Sequence, residues 1–518
     1  MLRRFLIVAA LGVLLASSAS AQTTAQLMPG VTYTREVDFT PRGPVVLDVV
    51  TAPKPDGSLY TLGPVLSNDF LPQTERLTDI EKRLSATATT VGVNGDNFNA
   101  TTGLPSGILV RGGALDSEPA PGRSAAGFTP DGTLTVARVA FKGTWQGTGQ
   151  RRALDVDNVS ATGSTLYTSA FGPATPAESG TVAEDVFTAF PPAKPGGPLV
   201  ATVSQVTSAG STPIPPGGAV LVSRGGQTQF LAKEAPAGQQ VEVRLTLTPD
   251  WSGLASAIGG GPLLVSAGKP VFSAHESFDV TPLSNRNARS AVGQLADGRI
   301  LLVTVEGLNP SYSVGMTNYE LAVALARLGA VTAVGLGTGG TAGMAFDGTL
   351  LTRPSGGAEA PVSDALVLAY TGVYAAPPST DVLSPNGDGV NDTQTLAYKL
   401  VRPSHVTAVL TGPRGASVTL AADDEQPGVH ALAWNGAGAP EGVWQLTVTA
   451  VDDRSRTTTA DRFFSLDDTL GALAIKGDAA TFVLTRSAQV VVTVERRNGI
   501  VVATPLRRSL QPGPQSAA

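Results

Sequence analysis

The sequence predicts a β-rich protein of several domains, with few helices, and three observations carry that prediction. Glycine and proline are abundant, 59 and 38 among 518 residues, and both punctuate a chain at turns. Short runs rich in valine, leucine and threonine recur between turn signals such as Pro55-Asp56-Gly57, Pro130-Asp131-Gly132 and Ala296-Asp297-Gly298. Apolar and polar residues alternate through Thr133–Val139 and Val241–Leu247, as half-buried strands require. The length allows two or three domains, each with its own core.

The elements follow in chain order. Arg3 and Arg4 precede an apolar run from Phe5 to Ala16, and Ala19-Ser20-Ala21 offers small residues for cleavage. Residues 1–21 read as a secretory leader, with the mature chain starting at Gln22 and exported: secreted, periplasmic or envelope-associated. No other stretch approaches the ~18 uninterrupted apolar residues of a membrane span. Thr78-Asp79-Ile80-Glu81 reads as a reciprocal cap opening a helix over 78–84. Thr317-Asn318-Tyr319-Glu320 repeats the pattern ahead of Leu321, Leu325 and Leu328, with Gly329 as the stop. A proline-rich join around Tyr374–Ser379 divides a main domain, 22–376, from a β-sandwich, 377–470. Residues 471–518 form an incomplete second copy of that sandwich, because the run from Leu484 parallels the run from Leu400: each has a Leu-x-Arg start, a valine-rich strand and a glycine turn.

Composition excludes several functions. With no cysteine there are no disulfides, thiolate metal sites or cysteine nucleophiles. A net charge of −6 without a basic stripe speaks against nucleic acid as a partner. Two of the three histidines, His405 and His430, lie beyond the main domain, so a Ser-His-Asp triad is not expected. Gly335–Gly340 matches G-x-G-x-x-G, but the residues after it lead to a turn and a strand rather than a helix, so no nicotinamide cofactor is expected. Asn386, Asp388, Asn391 and Asp392 place several oxygen ligands in the loop 384–393, a candidate structural calcium site, although such residues also build turns unaided.

Breaking a glycosidic bond needs a carboxylate for the oxocarbenium-like sugar and help for the leaving group. Where the leaving group is a phosphate monoester, an arginine binding its oxygens supplies much of that help. Asp96, Glu320, Arg289 and Arg123 supply these types inside motifs that resemble those of one family. Each has a plainer reading: Glu320 as a helix cap, Asp96 in an Asn-Gly-Asp turn, Arg289 in a surface ion pair.

Eight pieces occur in the order of one family: PGVTYTRE from Pro29, VNGDNF from Val93, Gly103–Gly107, RSAAGFTPDG from Arg123, TLYTSAFG from Thr165, GGGPLL from Gly259, ARSAVG from Ala288 and MTNYELA from Met316. Residues 28–374 thereby resemble the phosphodiester glycosidase family, that of the N-acetylglucosamine-1-phosphodiester uncovering enzyme. The resemblance implies an α+β domain, β-rich with mixed sheets, that hydrolyses a sugar-phosphodiester or related glycan linkage and requires no cofactor. It implies Asp96, Glu320 and Arg289 as catalytic residues. Asn94, Arg123, Glu306, Gly337, Thr338, Gly339 and Gly340 would bind substrate, a carbohydrate or sugar phosphate, free or in the cell envelope. Glu306 stands where the family commonly has aspartate. The family loop Asn-Leu-Asp-Gly-Gly-Gly-Ser is altered: Gly335 replaces the asparagine, Gly337 the aspartate, Thr338 a glycine and Thr341 the serine. Reduced activity is therefore expected, recoverable in a Gly335→Asn, Gly337→Asp, Thr338→Gly variant. The competing expectation is a catalytically inactive glycan-binding or cell-envelope surface protein. The segment from Ser384 through the strand at Trp444 resembles the immunoglobulin-like modules of flagellar hook-capping proteins.

Overall fold

The computed structural model describes residues 20–157, 162–178, 180–272, 275–278, 285–387, 389–476, 479–496 and 500–517. Most of the leader reading, 1–19, lies outside them. The proposed cleavage point falls inside the first strand, Ser20–Met28, which pairs along Val31–Thr40. No helix among the described residues is long and apolar enough to cross a membrane.

Two antiparallel sheets form the heart of the main domain. The larger orders Ser20–Met28, Val31–Thr40, Gly43–Ala52, Ile300–Val305, Arg289–Leu295, Ala330–Thr338, Leu263–Ser266 and Lys269–Pro270; the smaller orders Thr349–Leu350, Met344–Phe346, Thr89–Asn94, Asp364–Tyr370 and Tyr60–Leu66. Val50, Val292, Leu302 and Val334 of the first meet Val91, Val93, Leu366 and Leu368 of the second in one buried core. The Asn318–Arg327 helix covers the outer face of the large sheet with Leu321, Ala322 and Leu325. The Leu77–Leu84 helix covers the outer face of the small sheet with Leu77 and Ile80. The order is helix, sheet, sheet, helix, which buries both faces of each sheet.

Between the two halves of this domain the chain builds a second eight-stranded sheet with its own core around Trp145, Leu166 and Leu221. It is mixed, because Arg152–Val156 pairs parallel to Gly163–Thr168. The run at 241–247 is a strand, Gln240–Thr248, and alternates between buried and exposed or half-buried positions throughout, as expected.

Beyond the main domain, a three-stranded and a five-stranded sheet enclose Leu396, Val406, Trp434, Trp444 and Phe464. Tyr374–Ala375 already pairs with Gln394–Leu400, so the join belongs to this sandwich. The C-terminal repeat reproduces four strands of the first copy in order. Ser404–Thr411 pairs with Ser417–Glu425 around an irregularity at Ala408/Val409, and Ala488–Glu495 pairs with Val501–Leu510 around one at Val492/Val494. Gly428 faces Leu400, and Gly513 faces Leu484 in the same way. The second copy thus continues one strand further than expected, through Gly513–Ala517. Among the described residues no strand of this copy corresponds to Gly442–Asp452 or Thr457–Leu466.

The two caps differ from each other. Thr317 accepts from the Glu320 N–H while the Glu320 carboxylate takes the Thr317 N–H, the reciprocal box as expected. The first helix has no such box. It starts at Leu77, Thr78 donates from its N–H and its hydroxyl to Glu359, and Glu81 is buried, taking the Gly348 N–H. Thr78 lies inside the helix rather than before it, and Glu81 faces the sheet.

Candidate functional site

The Thr89–Asn94 strand is buried along its length and ends at Asn94-Gly95-Asp96. Gly95 is required there, because a Cβ would lie 1.5 Å from Asp364 Oδ1. The Gly95 N–H donates to the Asp364 carbonyl at 2.8 Å, and the Asp96 N–H to Asp364 Oδ1 at 3.0 Å. Asp96 is thereby turned inward, its side chain 1% exposed.

Its two oxygens have different surroundings. Oδ1 accepts from Arg123 Nη2 at 2.6 Å and from the Asn97 N–H at 2.7 Å. Oδ2 has no hydrogen-bond partner among the described residues. It faces Gly107 and Gly259, where a Cβ would come within 2.6 and 2.3 Å. The glycines of two separate motifs clear space for one carboxylate. Burial raises the Asp96 pKa even though Arg123 opposes it. Asp364 is pushed up to about 7 by burial and by the neighbouring Asp96 charge. The Arg123 guanidinium lies 4.8 Å from the centre of the Phe278 ring, and its buried Nε has no hydrogen-bond partner among the described residues.

The altered glycine loop packs on this turn. The Gly337 N–H donates to the Gly95 carbonyl at 2.7 Å. A Cβ on Gly337 would lie 2.6 Å from Asn94 Nδ2 and 2.8 Å from the Gly95 oxygen; one on Gly335 would lie 2.8 Å from the Gly261 oxygen. Gly339 takes a positive φ of 79° and donates its N–H to Ala288, while Gly340 borders open space. Thr338 follows Gly337 in strand register with Arg289, and its carbonyl accepts from the Thr341 hydroxyl. Asn94 Oδ1 accepts from Ser290 Oγ at 2.5 Å and from the Gly343 N–H at 3.1 Å, tying the loop's far end to the strand.

Arg289 and Glu320 belong to a neighbouring group. Arg289 is 2% exposed, so it is not the surface ion pair its position suggests. Its Nε donates to the Met316 carbonyl and Nη2 to the Asn285 carbonyl, both at 2.7 Å, and burial lowers its pKa to about 10. Glu320 divides its oxygens between the helix cap and Arg286. The structure thus joins Asn94, Asp96, Arg123 and Gly337 directly, and ties Arg289 and Glu320 to the backbone and cap around Met316. Glu306 pairs with Arg35 at 2.7 Å. Arg35, Asp48, Thr304 and Ser290 are successive register partners across the large sheet, so a polar row runs from Glu306's partner to Asn94. Asp48 and Asp364 escaped sequence reasoning, because each stands in an ordinary strand without a motif, and Arg35 was given no role although it lies in the PGVTYTRE piece.

In the loop 384–393, Asp392 accepts the Gly387 and Gly389 N–H groups, both at 2.7 Å, which makes it a turn builder. Asn386 and Asn391 flank that turn, and Asp388 lies outside the described residues. No cluster of three or more metal-ligating His, Cys, Asp or Glu residues occurs among the described residues.

Fold and site define a helix-sheet-sheet-helix domain with a buried acidic turn walled by glycines. Residues 194–369 match the sequence model of the family described as phosphodiester glycosidase. Among solved structures, a hypothetical protein from Synechocystis is 25% identical with a TM-score of 0.57, covering 68% of this chain and 64% of its own. This chain therefore spans less than two thirds of that relative. A protein described as exported, from Burkholderia pseudomallei K96243, is 19% identical with a TM-score of 0.54, covering 68% of this chain and 97% of its own, and shares the fold. The catalytic domain of the zebrafish N-acetylglucosamine-1-phosphodiester α-N-acetylglucosaminidase is 13% identical with a TM-score of 0.35, covering 69% and 84%. No curated protein matches the sequence.

Proposed function

We propose that the chain is an exported hydrolase that releases a sugar from a phosphodiester or related glycan linkage. One observation carries the reading: Asp96 is held by Arg123 through one oxygen while its other oxygen, packed against Gly107 and Gly259, has no hydrogen-bond partner among the described residues. A carboxylate so placed is suited to an oxocarbenium-like sugar, and the unused Arg123 Nε to a phosphate oxygen. The family match and the leader-like start support the same reading. The sandwich that follows acts as an immunoglobulin-like module displayed with the enzyme.

A second reading, an inactive glycan-binding protein, is favoured by Gly337. The family's loop carboxylate is missing, and the turn leaves no room for its Cβ. Sugar release from a sugar-1-phosphate diester by the purified protein, lost in Asp96→Asn, supports the hydrolase. Retained binding without release supports the second reading, and neither binding nor release overturns both.

A further inference from the structure

A cleft of about 470 Å³ opens at the edge of the inserted sheet and shares no lining residue with the Asp96 turn. Its volume falls within the roughly 300–1,000 Å³ of small-molecule sites. Arg111 and Asp116 enter it from outside the inserted sheet, on the paired strands Leu109–Arg111 and Ala114–Ser117. Ser169 follows the Gly163–Thr168 strand of the inserted sheet, and Phe190 and Pro191 follow its Val182–Phe187 strand. Arg111 Nε donates to Asp116 Oδ2 at 2.5 Å, with the side chains 32% and 9% exposed. The two terminal nitrogens of Arg111 and Asp116 Oδ1 have no hydrogen-bond partner among the described residues. Unlike Asp96 Oδ2, these atoms are not sealed from solvent. A fork of donors thus stands beside a free acceptor at the wall of the cleft. Phe70, Phe190 and Pro191 give the cleft apolar surface. Phe190 is backed by the fully buried Phe187, with 5.5 Å between ring centres, and its N–H donates to the Gly217 carbonyl at 2.9 Å. The charges are already matched: Asp69, the third charged group of the lining, pairs with Arg83 at 2.6 Å, and Arg111 and Asp116 cancel.

We propose that this cleft binds a neutral pyranose, at a site distinct from the Asp96 turn. A sugar hydroxyl both donates and accepts, so two adjacent ring hydroxyls can take the terminal Arg111 donors and give a proton to Asp116 Oδ1. Both bonds are charge-assisted. The C–H faces of the ring are apolar and suit the aromatic and proline surface. A carboxylate or phosphate ligand meets the like charge of Asp116 Oδ1, and a wholly apolar ligand strips water from the ion pair without replacing it. The piece TLYTSAFG, which contributes nothing to the Asp96 turn, lines this cleft with Thr168, Ser169 and Ala170. The assignment does not rest on hydrolysis at Asp96: the cleft holds a sugar whether or not that turn cleaves one.

The test is saturation-transfer NMR and calorimetric titration of the full chain with the methyl glycosides of glucose, galactose, mannose and N-acetylglucosamine, and with inorganic phosphate. At least one glycoside is expected to bind with a Kd roughly in the millimolar range, as suits a single ring, and phosphate is expected not to compete with it. Ser169→Trp fills the cleft from an exposed position and leaves the Arg111–Asp116 pair intact. It should weaken glycoside binding about tenfold or more, as should Arg111→Met, which removes the charged donors. Asp96→Asn should leave that binding unchanged. Failure of all four glycosides to bind, or equal binding by the wild type and Ser169→Trp, overturns the site. Binding lost in Asp96→Asn and kept in Ser169→Trp moves the sugar to the Asp96 turn and overturns it as well. Displacement of the glycoside by phosphate, itself abolished in Arg111→Met, overturns the neutral class of ligand.

Discussion

Asp96 and Arg123 illustrate what one buried pair demands. With Arg123 truncated, a carboxylate 1% exposed loses the side-chain counter-charge it has among the described residues, so Arg123→Ala should cost about 3–5 kcal/mol in urea unfolding. Asp96→Asn together with Arg123→Ala should cost less than the sum of the two. The close packing at Gly337 corrects the expectation that restoring the family loop restores turnover. An aspartate there pushes its Cβ against Asn94 Nδ2 and the Gly95 oxygen. The triple variant should therefore lose about 1–3 kcal/mol of stability and show no gain in sugar release. Asp364 sets a pH dependence. Its carboxyl titrates at about 7 when folded against an ordinary 3.8, so the folded state binds the extra proton between those values. Its contribution is complete below about pH 4 and is lost as pH rises toward 7, at no more than about 1.4 kcal/mol per unit. Unfolding free energies measured from pH 4 to 8 should fall along this range, less steeply in Asp364→Asn.

Elements were legible where their signals are local. The Thr317 box closes within one helical turn, so four residues determine it. Thr317→Ala should lower stability by about 1 kcal/mol in chemical denaturation, with no change in the sheet register beneath. The same four-residue pattern at Thr78 misled, because Leu77 already enters the helix and Glu359, far along the chain, takes the threonine. The seven-residue helix Thr228–Glu234 follows Gly225-Gly226 and gave no periodic signal long enough to read. The repeat was visible because equivalent valine-rich strands and glycine turns recur in order. Its shared irregularity at Ala408/Val409 and Val492/Val494 emerges only from pairing.

At the scale of the molecule, the sandwich is fastened to the main domain by buried polar contacts. Lys399 Nζ reaches from the sandwich to Ser85 Oγ at 2.9 Å, the Ala88 carbonyl at 3.0 Å and Asp347 Oδ1 at 2.6 Å. Arg456 adds a bond to the Ser58 carbonyl at 2.7 Å. The lysine side chain is 7% exposed and Asp347 22% exposed. Lys399→Met should therefore cost about 2 kcal/mol, discounted for the partly wetted aspartate. Limited proteolysis should then cut faster near Tyr374–Ser379. The C-terminal repeat has a small core, Phe482, Leu484, Leu506, Leu510 and Ala517, and leaves Val491, Val494, Val501 and Val502 exposed. Proteolysis should remove it before it cuts the sandwich.

By itself the sequence determined what depends on neighbours along the chain: alternating strands, glycine turns, the Thr317 cap, the repeat, and motifs that resemble those of the phosphodiester glycosidase family. The tertiary structure decided which of those motifs meet. Gly107, Gly259 and Gly337 are separated in sequence by more than any local pattern spans, yet they line one turn because sheet register brings them there. The same register gave Asp96 the partner Arg123, turned Arg289 toward main-chain carbonyls, and set Arg35 beside Glu306. Pairing between distant strands depends on the packing of whole faces, and no short window of residues contains that information.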